Sequence, residues 1–399
     1  MEDQPSAPPE AKTAEAEPVD SRKETILITG GSGFVAQHII KELQCDTDAH
    51  KEIAEIRLVD RKPFEKFMDY DQVIPVTFHQ LDLLDSDLST VMSDCTVVFH
   101  TAAKRYNFNI YPKTDQFWRD NVEATECVLS AMRACNVQRL VFVSDAMANA
   151  PTGDQFGSSE PIMMGTPHNN QYALGIAAET KYKAETMASE FCRDNQTDLG
   201  LRMSCLILRP TIIYGEGDSS MVPHALDVCR RYGRMFRIGC SMGSVWQVTY
   251  AGNAAIAVIK GWRKQRADLD VCNGEVVFIN DGESAVNYFD FIEPYVHAAG
   301  YKFSPISIYF PIGLMLFFLI EMLARFLHLF IPNNSWVVST PSVRMVRLCG
   351  TWCYGFSTQK ARLFIDYVPK YSQKEANEIS LQWWKKRLEG KPLPDFEYG

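Results

Sequence analysis

A chain of 399 residues is long enough for one large α/β domain with a smaller lobe, or for two medium domains. Its apolar share of 46% and charged share of 22% are ordinary for a globular protein, which excludes wholesale disorder and a channel built of many membrane helices. The net charge of −9 argues against a nucleic-acid-binding protein, because such proteins carry a basic surplus toward phosphate.

The first 22 residues are rich in proline, alanine and glutamate. They lack the apolar side chains that a folded segment buries, so we predict a disordered tail. The apolar stretch of a secretory signal is absent there, and we expect the protein to face the cytosol. The 11 cysteines are scattered without the spacing of a zinc or redox site, so we predict no metal.

A regular alternation of strands and helices begins at Thr25. Residues 25–29 are a short β-branched run that predicts a buried strand; a glycine loop ends it, and a helix is predicted over residues 34–43. Further strands are predicted at residues 56–60, 76–81, 96–100, 139–144 and 206–209. This alternation predicts the α/β class, with a Rossmann-type doubly wound parallel sheet in residues 23–215.

Residues 216–399 are expected to form a smaller, substrate-binding lobe that carries an apolar segment at residues 306–332. Two structures fit this segment: a buried helical hairpin, or a helix that dips into or crosses a bilayer. We favour membrane association, because Leu, Phe and Met cover all sides of its first half and a core-facing helix needs only one apolar stripe. Glu321, Arg325 and His328 are spaced to share one face, which suits an interfacial helix as well as a spanning one.

The loop between the first strand and the first helix predicts a dinucleotide site. Gly31-x-Gly33-x-x-Ala36 matches the dinucleotide-binding fingerprint in the strand-to-helix context that the fingerprint requires. Missing side chains let the backbone approach a pyrophosphate, which then faces the N–H groups and positive dipole end of the helix. Asp60 ends the second strand, where a carboxylate accepts hydrogen bonds from ribose hydroxyls; this favours NAD, although adjacent Arg61 leaves NADP open.

Several further motifs follow along the chain: Thr29-Gly30-Gly31-Ser32-Gly33-Phe34, Leu81-Asp82-Leu83, His100-Thr101-Ala102-Ala103, Asn121-Val122, Leu208-Arg209-Pro210, Ile213-Tyr214-Gly215-Glu216-Gly217 and Val248-Thr249-Tyr250-Ala251-Gly252-Asn253-Ala254. Together they resemble an extended short-chain dehydrogenase/reductase, and within it the 3β-hydroxysteroid dehydrogenase/isomerase family, in its sterol-dehydrogenase-like branch. The resemblance covers residues 24–390.

The resemblance implies a set of roles for these positions. Asp82 and Leu83 would approach the adenine, Ala102 and Ala103 would line the pyrophosphate and ribose, and Pro210 would pack beside the nicotinamide. It also implies a sterol or steroid substrate and attachment to the membrane of the endoplasmic reticulum. A homodimer is retained as a candidate assembly.

The catalytic positions depart from the family pattern. The superfamily takes the hydroxyl proton with a Tyr whose phenol pKa is lowered by a Lys four residues later on the same helix face. Lys181 matches that Lys, but Ala177 stands four residues earlier. The family's active-site Ser position falls on Asp145. Across the whole sequence, no Tyr precedes a Lys at this spacing.

Several side chains therefore remain candidates for accepting the proton of the substrate hydroxyl. Asp145 beside Lys181 would form an ion pair that stabilises the pocket, or its carboxylate would act as a base. Tyr106 would supply a phenol from a substrate loop, whereas His100 is expected to be a packed residue at a strand end. Two functions follow: an NAD-dependent oxidoreductase that acts on an apolar hydroxyl compound, or a pseudoenzyme that binds the cofactor and serves as a scaffold or sensor.

Overall fold

The computed structural model describes residues 23–389, except residues 105, 107, 162, 164, 168–170, 240–243, 284 and 333. The tail predicted for residues 1–22 lies outside this part of the chain. The strands of the described residues are, in chain order, β1 Glu24–Thr29, β2 Ile53–Asp60, β3 Val76–Gln80, β4 Val97–His100, β5 Arg139–Val143, β6 Gln155–Ser158, β7 Ser204–Pro210, β8 Ile212–Tyr214, β9 Val245–Trp246, β10 Val248–Tyr250, β11 Glu275–Ile279, β12 Val286–Asn287 and β13 Tyr354–Phe356.

The helices alternate with these strands in the first half of the chain and dominate the second half. They are α1 Phe34–Cys45, α2 Ala49–Glu52, α3 Ser89–Met92, α4 Thr114–Phe117, α5 Ala124–Ala134, α6 Ile176–Asp194, α7 Met221–Tyr232, α8 Ala251–Ala267, α9 Leu269–Cys272, α10 Tyr288–Ala298, α11 Phe310–His328, α12 Ser335–Ser339, α13 Val343–Gly350, α14 Gln359–Phe364 and α15 Gln373–Leu388, with a π-helical turn at Trp118–Glu123 between α4 and α5.

A seven-stranded parallel sheet forms the centre of the molecule, in the order β11-β7-β5-β4-β1-β2-β3. The order reverses between β1 and β4, as in doubly wound dinucleotide-binding folds, where ligands bind at the carboxyl ends of the strands. The prediction of a Rossmann-type parallel sheet is confirmed. Its edge strand β11 lies at residues 275–279, so the sheet extends beyond the residue 215 expected for the first domain.

Two apolar layers cover the sheet, one on each face. Alternate residues of β1 belong to different layers: Ile26 and Ile28 pack with α1 and α8, whereas Leu27 packs with α5 and α6. Every one of these side chains is at most 1% exposed, and each such burial contributes about 1.5–3 kcal/mol. The near-continuous apolar run of β1 is therefore explained by a strand that is covered on both sides.

A second cluster of apolar residues forms the smaller lobe. It is built from α7, α10, α13, α15 and the four-stranded sheet β12-β9-β13-β6, around buried side chains such as Trp246 and Tyr295. The lobe packs at the carboxyl end of the large sheet, where β8 and β10 form a short parallel pair directly after β7. It thus forms a wall over the edge at which the predicted nucleotide site lies.

The apolar segment forms helix α11, with a mean hydropathy of 1.9 over its most apolar 18 residues, of which 11% are buried. In the described chain it is the one helix long and apolar enough to cross a membrane. Only Gly313 and Ala324 of this helix are buried. The alternative of a buried helical hairpin is therefore wrong, because the helix leaves Phe318, Leu319 and Phe326 more than half exposed.

Candidate active site

The glycine loop after β1 is held by backbone contacts that exclude side chains. Gly30 adopts φ +71°, and a Cβ at this position would lie 2.8 Å from the Cα of Ala102. A Cβ on Gly31 would lie 2.7 Å from the Cβ of Leu58 on the neighbouring strand. The N–H groups of Gly30 and Gly31 donate to the carbonyl of Val59, at 2.8 and 3.1 Å. Gly30 therefore permits the approach to the β4 loop, and Gly31 the packing on β2.

Helix α1 starts directly behind this loop. Gly33 precedes it in an extended conformation and provides no side-chain cap, so the first N–H groups of the helix remain available to an anion. A Cβ on Gly33 would lie 2.8 Å from the carbonyl oxygen of Gly30. Ala36 is fully buried and keeps the helix close to the sheet, and the ring of Phe34 packs edge-on against His38. The residues present fit the pyrophosphate of a dinucleotide.

Asp60 braces the loop from the end of β2. Its Oδ2 accepts a hydrogen bond from the Ser32 N–H at 3.1 Å, and its Oδ1 accepts one from the Lys62 N–H at 2.9 Å. A carboxylate offers about four acceptor sites, so two remain for ribose hydroxyls. The loop and the carboxylate predicted to hold the two ends of one nucleotide are therefore in direct contact.

A chain of charged side chains occupies the adenosine end of the site. Both terminal nitrogens of Arg61 donate to the Asp120 carboxylate, at 3.0 and 2.8 Å. Arg119 joins Asp120 to Asp82, at 3.0 and 2.9 Å. A guanidinium engaged in this bidentate pair is less available to a 2′-phosphate. Arg61 left the choice between NAD and NADP open, and this pairing favours NAD.

These groups open on a cleft of about 450 Å³ at the carboxyl edge of the sheet. Seven predicted cofactor-binding residues line it: Gly30, Gly33, Asp60, Asp82, Leu83, Ala102 and Ala103. Five predicted site residues are outside this lining: Gly31, Phe34, Asp145, Lys181 and Pro210. The cleft therefore corresponds to the nucleotide end of the site, and the predicted catalytic groups lie beyond it.

Lys181 is a buried residue of α6. Burial lowers the pKa of its ammonium to about 8, against the opposing influence of the Asp145 charge. The Nζ lies 4.8 Å from the centre of the Phe142 ring. Although both residues lie in the described part of the chain, no ion pair within 4.0 Å joins Lys181 to Asp145. The predicted ion pair is therefore wrong.

Asp145 instead turns toward its own loop. Its Oδ1 accepts a hydrogen bond of 2.7 Å from the Met147 N–H, as a carboxylate does in a tight turn after a strand. Burial raises the pKa of this carboxyl, and the charges of Lys181 and Arg209 only partly oppose the shift. A carboxylate of this kind is a better base than an exposed one.

Other candidates near this end have distinct environments. His100 is confirmed as a packed residue: its Nδ1 lies 2.8 Å from the Thr29 hydroxyl and its Nε2 3.1 Å from the Thr125 hydroxyl, and burial lowers its pKa to about 3. Tyr106 lines the cleft with its ring against Phe108, and burial raises its pKa.

The nucleotide cleft has a second wall that the sequence did not predict. It comes from the smaller lobe and consists of Gly217, Asp218, Ser219, Pro223, His224, Trp383, Trp384 and Arg387. Gly217 belongs to a motif of the family resemblance, but no motif marks the other residues of this wall. Their nearest signal is the cluster of two tryptophans followed by three basic residues at 383–387, and this pattern also fits an ordinary amphipathic helix.

Comparisons with known proteins agree with this geometry. A family described as "3-beta hydroxysteroid dehydrogenase/isomerase family" matches residues 27–311. The chain is 27% identical to the 3 beta-hydroxysteroid dehydrogenase type 7 of Mus musculus, covering 90% of this chain and 94% of the relative. It is 26% identical to the decarboxylating sterol-4-alpha-carboxylate 3-dehydrogenase ERG26 of Candida albicans, covering 92% and 99%.

Solved structures extend the likeness of fold. A UDP-glucuronic acid 4-epimerase from Bacillus cereus in complex with NAD shares a TM-score of 0.62 at 16% identity, covering 91% of this chain and 99% of the epimerase. MoeE5 in complex with UDP-glucose and NAD gives a TM-score of 0.63 at 18% identity, with the same coverage. The family match covers well over half of the sequence, and the chain therefore belongs to the 3-beta hydroxysteroid dehydrogenase/isomerase family.

Proposed function

We propose that the protein is an NAD-dependent oxidoreductase of the 3β-hydroxysteroid dehydrogenase type that acts on a sterol, a steroid or a similar apolar hydroxyl compound. The observation that carries the proposal is the glycine loop braced by Asp60 at the carboxyl edge of the sheet. Relatives of the chain named as steroid and sterol dehydrogenases support the substrate class.

The proposed cofactor site uses both loop backbone and side chains. NAD would supply the hydride acceptor. The start of α1 would hold the pyrophosphate, Asp60 the adenosine ribose and Lys181 the nicotinamide ribose. The full set assigned to the cofactor is Gly30, Gly31, Gly33, Phe34, Asp60, Asp82, Leu83, Ala102, Ala103, Lys181 and Pro210.

The proton of the substrate hydroxyl needs an acceptor other than the usual phenol, because position 177 is alanine. We assign this role to Asp145, whose pKa is raised by burial and whose position, two residues after the end of β5, corresponds to that of the family's active-site serine. Lys181, with its pKa lowered to about 8, would orient the ribose rather than pair with this carboxylate.

A titration with NADH followed by single-turnover assays tests the proposal. Wild-type protein should bind NADH saturably and, when mixed with NAD and a panel of 3β-hydroxysterols, should produce NADH absorbance with at least one of them. Asp145→Asn should reduce that rate by about 100-fold or more, because general-base catalysis contributes about 10²–10⁴. Saturable binding without cofactor reduction on any sterol would contradict the oxidoreductase.

The second candidate is a pseudoenzyme that binds the cofactor and acts as a scaffold or sensor. Ala177 and Asp145 favour it, because both family positions that handle the proton are substituted while the nucleotide end is intact. The double variant Ala177→Tyr/Asp145→Ser discriminates between the two. Turnover that appears only in this variant would show a competent pocket that lacks its acid and base, and would support the pseudoenzyme.

We further propose that α11 attaches the protein to the cytosolic leaflet of the endoplasmic reticulum. Its docked side carries Glu321, whose Oε2 accepts the Val343 N–H at 2.7 Å and whose Oε1 binds Arg325 at 2.7 Å. His328 stacks on Tyr111 at 3.9 Å on the same side. Because this polar side of α11 contacts the rest of the protein, we favour a helix that lies in the membrane interface over one that spans the membrane.

Vesicle flotation tests the attachment. Phe318→Glu/Leu319→Glu places two charges on exposed positions of α11 and should release the protein from neutral phospholipid vesicles, since each buried apolar side chain contributes about 1.5–3 kcal/mol. Leu199→Glu/Leu363→Glu is the matched control, because these leucines are exposed but lie outside α11. Wild-type protein that stays unbound would contradict the proposal.

A further inference from the structure

The C-terminal helix α15 contributes a wall to the nucleotide cleft from the far end of the chain. Trp383, Trp384 and Arg387 line the same cleft as the glycine loop. Two hydrogen bonds fix the helix in place: the Tyr295 hydroxyl donates to Ser380 at 3.1 Å, and the Trp383 indole N–H donates to the Phe67 carbonyl at 3.1 Å. A rigid element thus presents side chains to the cofactor site.

One cation of this helix lines the cleft without an ion-pair partner. Within the described chain, the partly buried guanidinium of Arg387 forms no ion pair. Trp384 lies three positions earlier on the same helix face, but it is only 2% exposed and its indole N–H is buried away from the open cleft. Arg387 is therefore the donor of this helix face that a ligand in the cleft can reach.

Other cations on the cleft wall are already engaged. Arg61 is bound to Asp120, and the Lys104 ammonium donates to Gln116 at 2.8 Å. A dinucleotide brings two phosphate charges into the cleft, and the N–H groups at the start of α1 face them from the sheet side only. Arg387 is therefore a cation well placed to complement those charges from the opposite side.

We propose that Arg387 binds the pyrophosphate of the dinucleotide, so that the smaller lobe completes the cofactor site. This inference rests on the proposed function, since it requires a nicotinamide dinucleotide in the cleft. The guanidinium forms charge-assisted hydrogen bonds to the phosphate oxygens. The cofactor then links the two lobes directly.

Binding titrations of NADH to full-length variants test the inference. Arg387→Gln should weaken NADH about tenfold or more, as expected for a lost hydrogen bond between charged groups. Lys386→Gln removes a neighbouring exposed charge and should leave the affinity unchanged. Competition by ADP should weaken in Arg387→Gln, whereas competition by adenosine should not.

The outcomes separate the inference from the proposed function. Wild-type protein that binds NADH while Arg387→Gln binds it equally well overturns the inference alone. Equal losses in Arg387→Gln and Lys386→Gln also overturn it, because they would report general charge attraction. A loss confined to NADPH overturns it in favour of a 2′-phosphate contact. Wild-type protein without affinity for NADH overturns the proposed function itself.

Discussion

The nucleotide end and the catalytic end of the site are held by different forces. At the nucleotide end, Gly30 and Gly31 are required because atoms of Ala102 and Leu58 lie less than 3 Å from where their side chains would begin, and both carboxylate oxygens of Asp60 accept hydrogen bonds from backbone N–H groups. At the proposed catalytic end, Ala177 and Asp145 stand where the family pattern has Tyr and Ser. The contrast teaches that the nucleotide loop is fixed by close packing of the fold, whereas the two proposed proton-handling positions depart from the family pattern.

Lys181 differs from Ala177 and Asp145 because it matches the family pattern. It is buried, and desolvation lowers its pKa to about 8 despite the charges of Asp145 and Glu185, so its charged form opposes folding at neutral pH. A group that costs stability is expected where it serves binding or catalysis. The proposed catalytic end therefore contains one costly group that matches the family pattern beside two substituted positions.

The largest expected effect comes from a substitution in the glycine loop at the nucleotide end. Gly30→Ala should reduce NADH affinity about 100-fold, because a residue strained at positive φ and a Cβ 2.8 Å from the Ala102 Cα together cost about 3 kcal/mol. Fluorescence titration measures the loss. Gly157→Ala is the control, because Gly157 also has positive φ but nothing lies within 4 Å of its Cβ position. Equal affinity in wild type and Gly30→Ala would contradict the close-packed loop.

An intermediate effect is expected on the free energy of unfolding when Lys181 is substituted. Its folded pKa of about 8 lies below the usual 10.5, so the unfolded chain binds one more proton between these values and stability rises with pH there. The destabilisation is complete below pH 8. Lys181→Met should therefore stabilise the protein by about 2 to 3 kcal/mol at pH 7, with the gain vanishing above about pH 10.5.

Urea unfolding at pH 7 and at alkaline pH measures this difference. The matched control is Lys183→Met, which removes an exposed lysine of the same helix and should leave the free energy of unfolding unchanged. A Lys181→Met protein that is less stable than wild type at pH 7 would show that the ammonium has a stabilising partner.

The smallest expected effect tests cofactor preference. Asp120→Ala releases Arg61 from its bidentate partner, and the freed guanidinium should improve NADPH affinity relative to NADH about fivefold, as expected for a partly exposed charge worth about 1 kcal/mol. Asp85→Ala is the control, because Asp85 contacts Arg119 but not Arg61. An unchanged NADPH-to-NADH ratio would show that the pair with Asp120 does not set the preference.

Much of the fold could be predicted because its signals are local. The β-branched runs, the glycine loop and Asp60 at the end of β2 each depend on neighbours within a few residues. Strand β11 was not predicted, since its partner β7 lies about 70 residues earlier and the intervening segment belongs largely to the smaller lobe. The ion pair between Asp145 and Lys181 was predicted wrongly. The closeness of two residues in the fold does not determine the direction in which a short carboxylate side chain points.

The sequence by itself determined the parallel sheet, the dinucleotide loop, the loss of the catalytic Tyr and Ser positions, and the family. Only the tertiary structure decided that α11 stays exposed, that Arg61 is bound to Asp120, and that Trp384 and Arg387 reach the cleft from the C-terminal helix. The physical reason is distance along the chain: periodicity and loop chemistry act over a few residues, whereas burial and contacts between lobes depend on how segments hundreds of residues apart pack together.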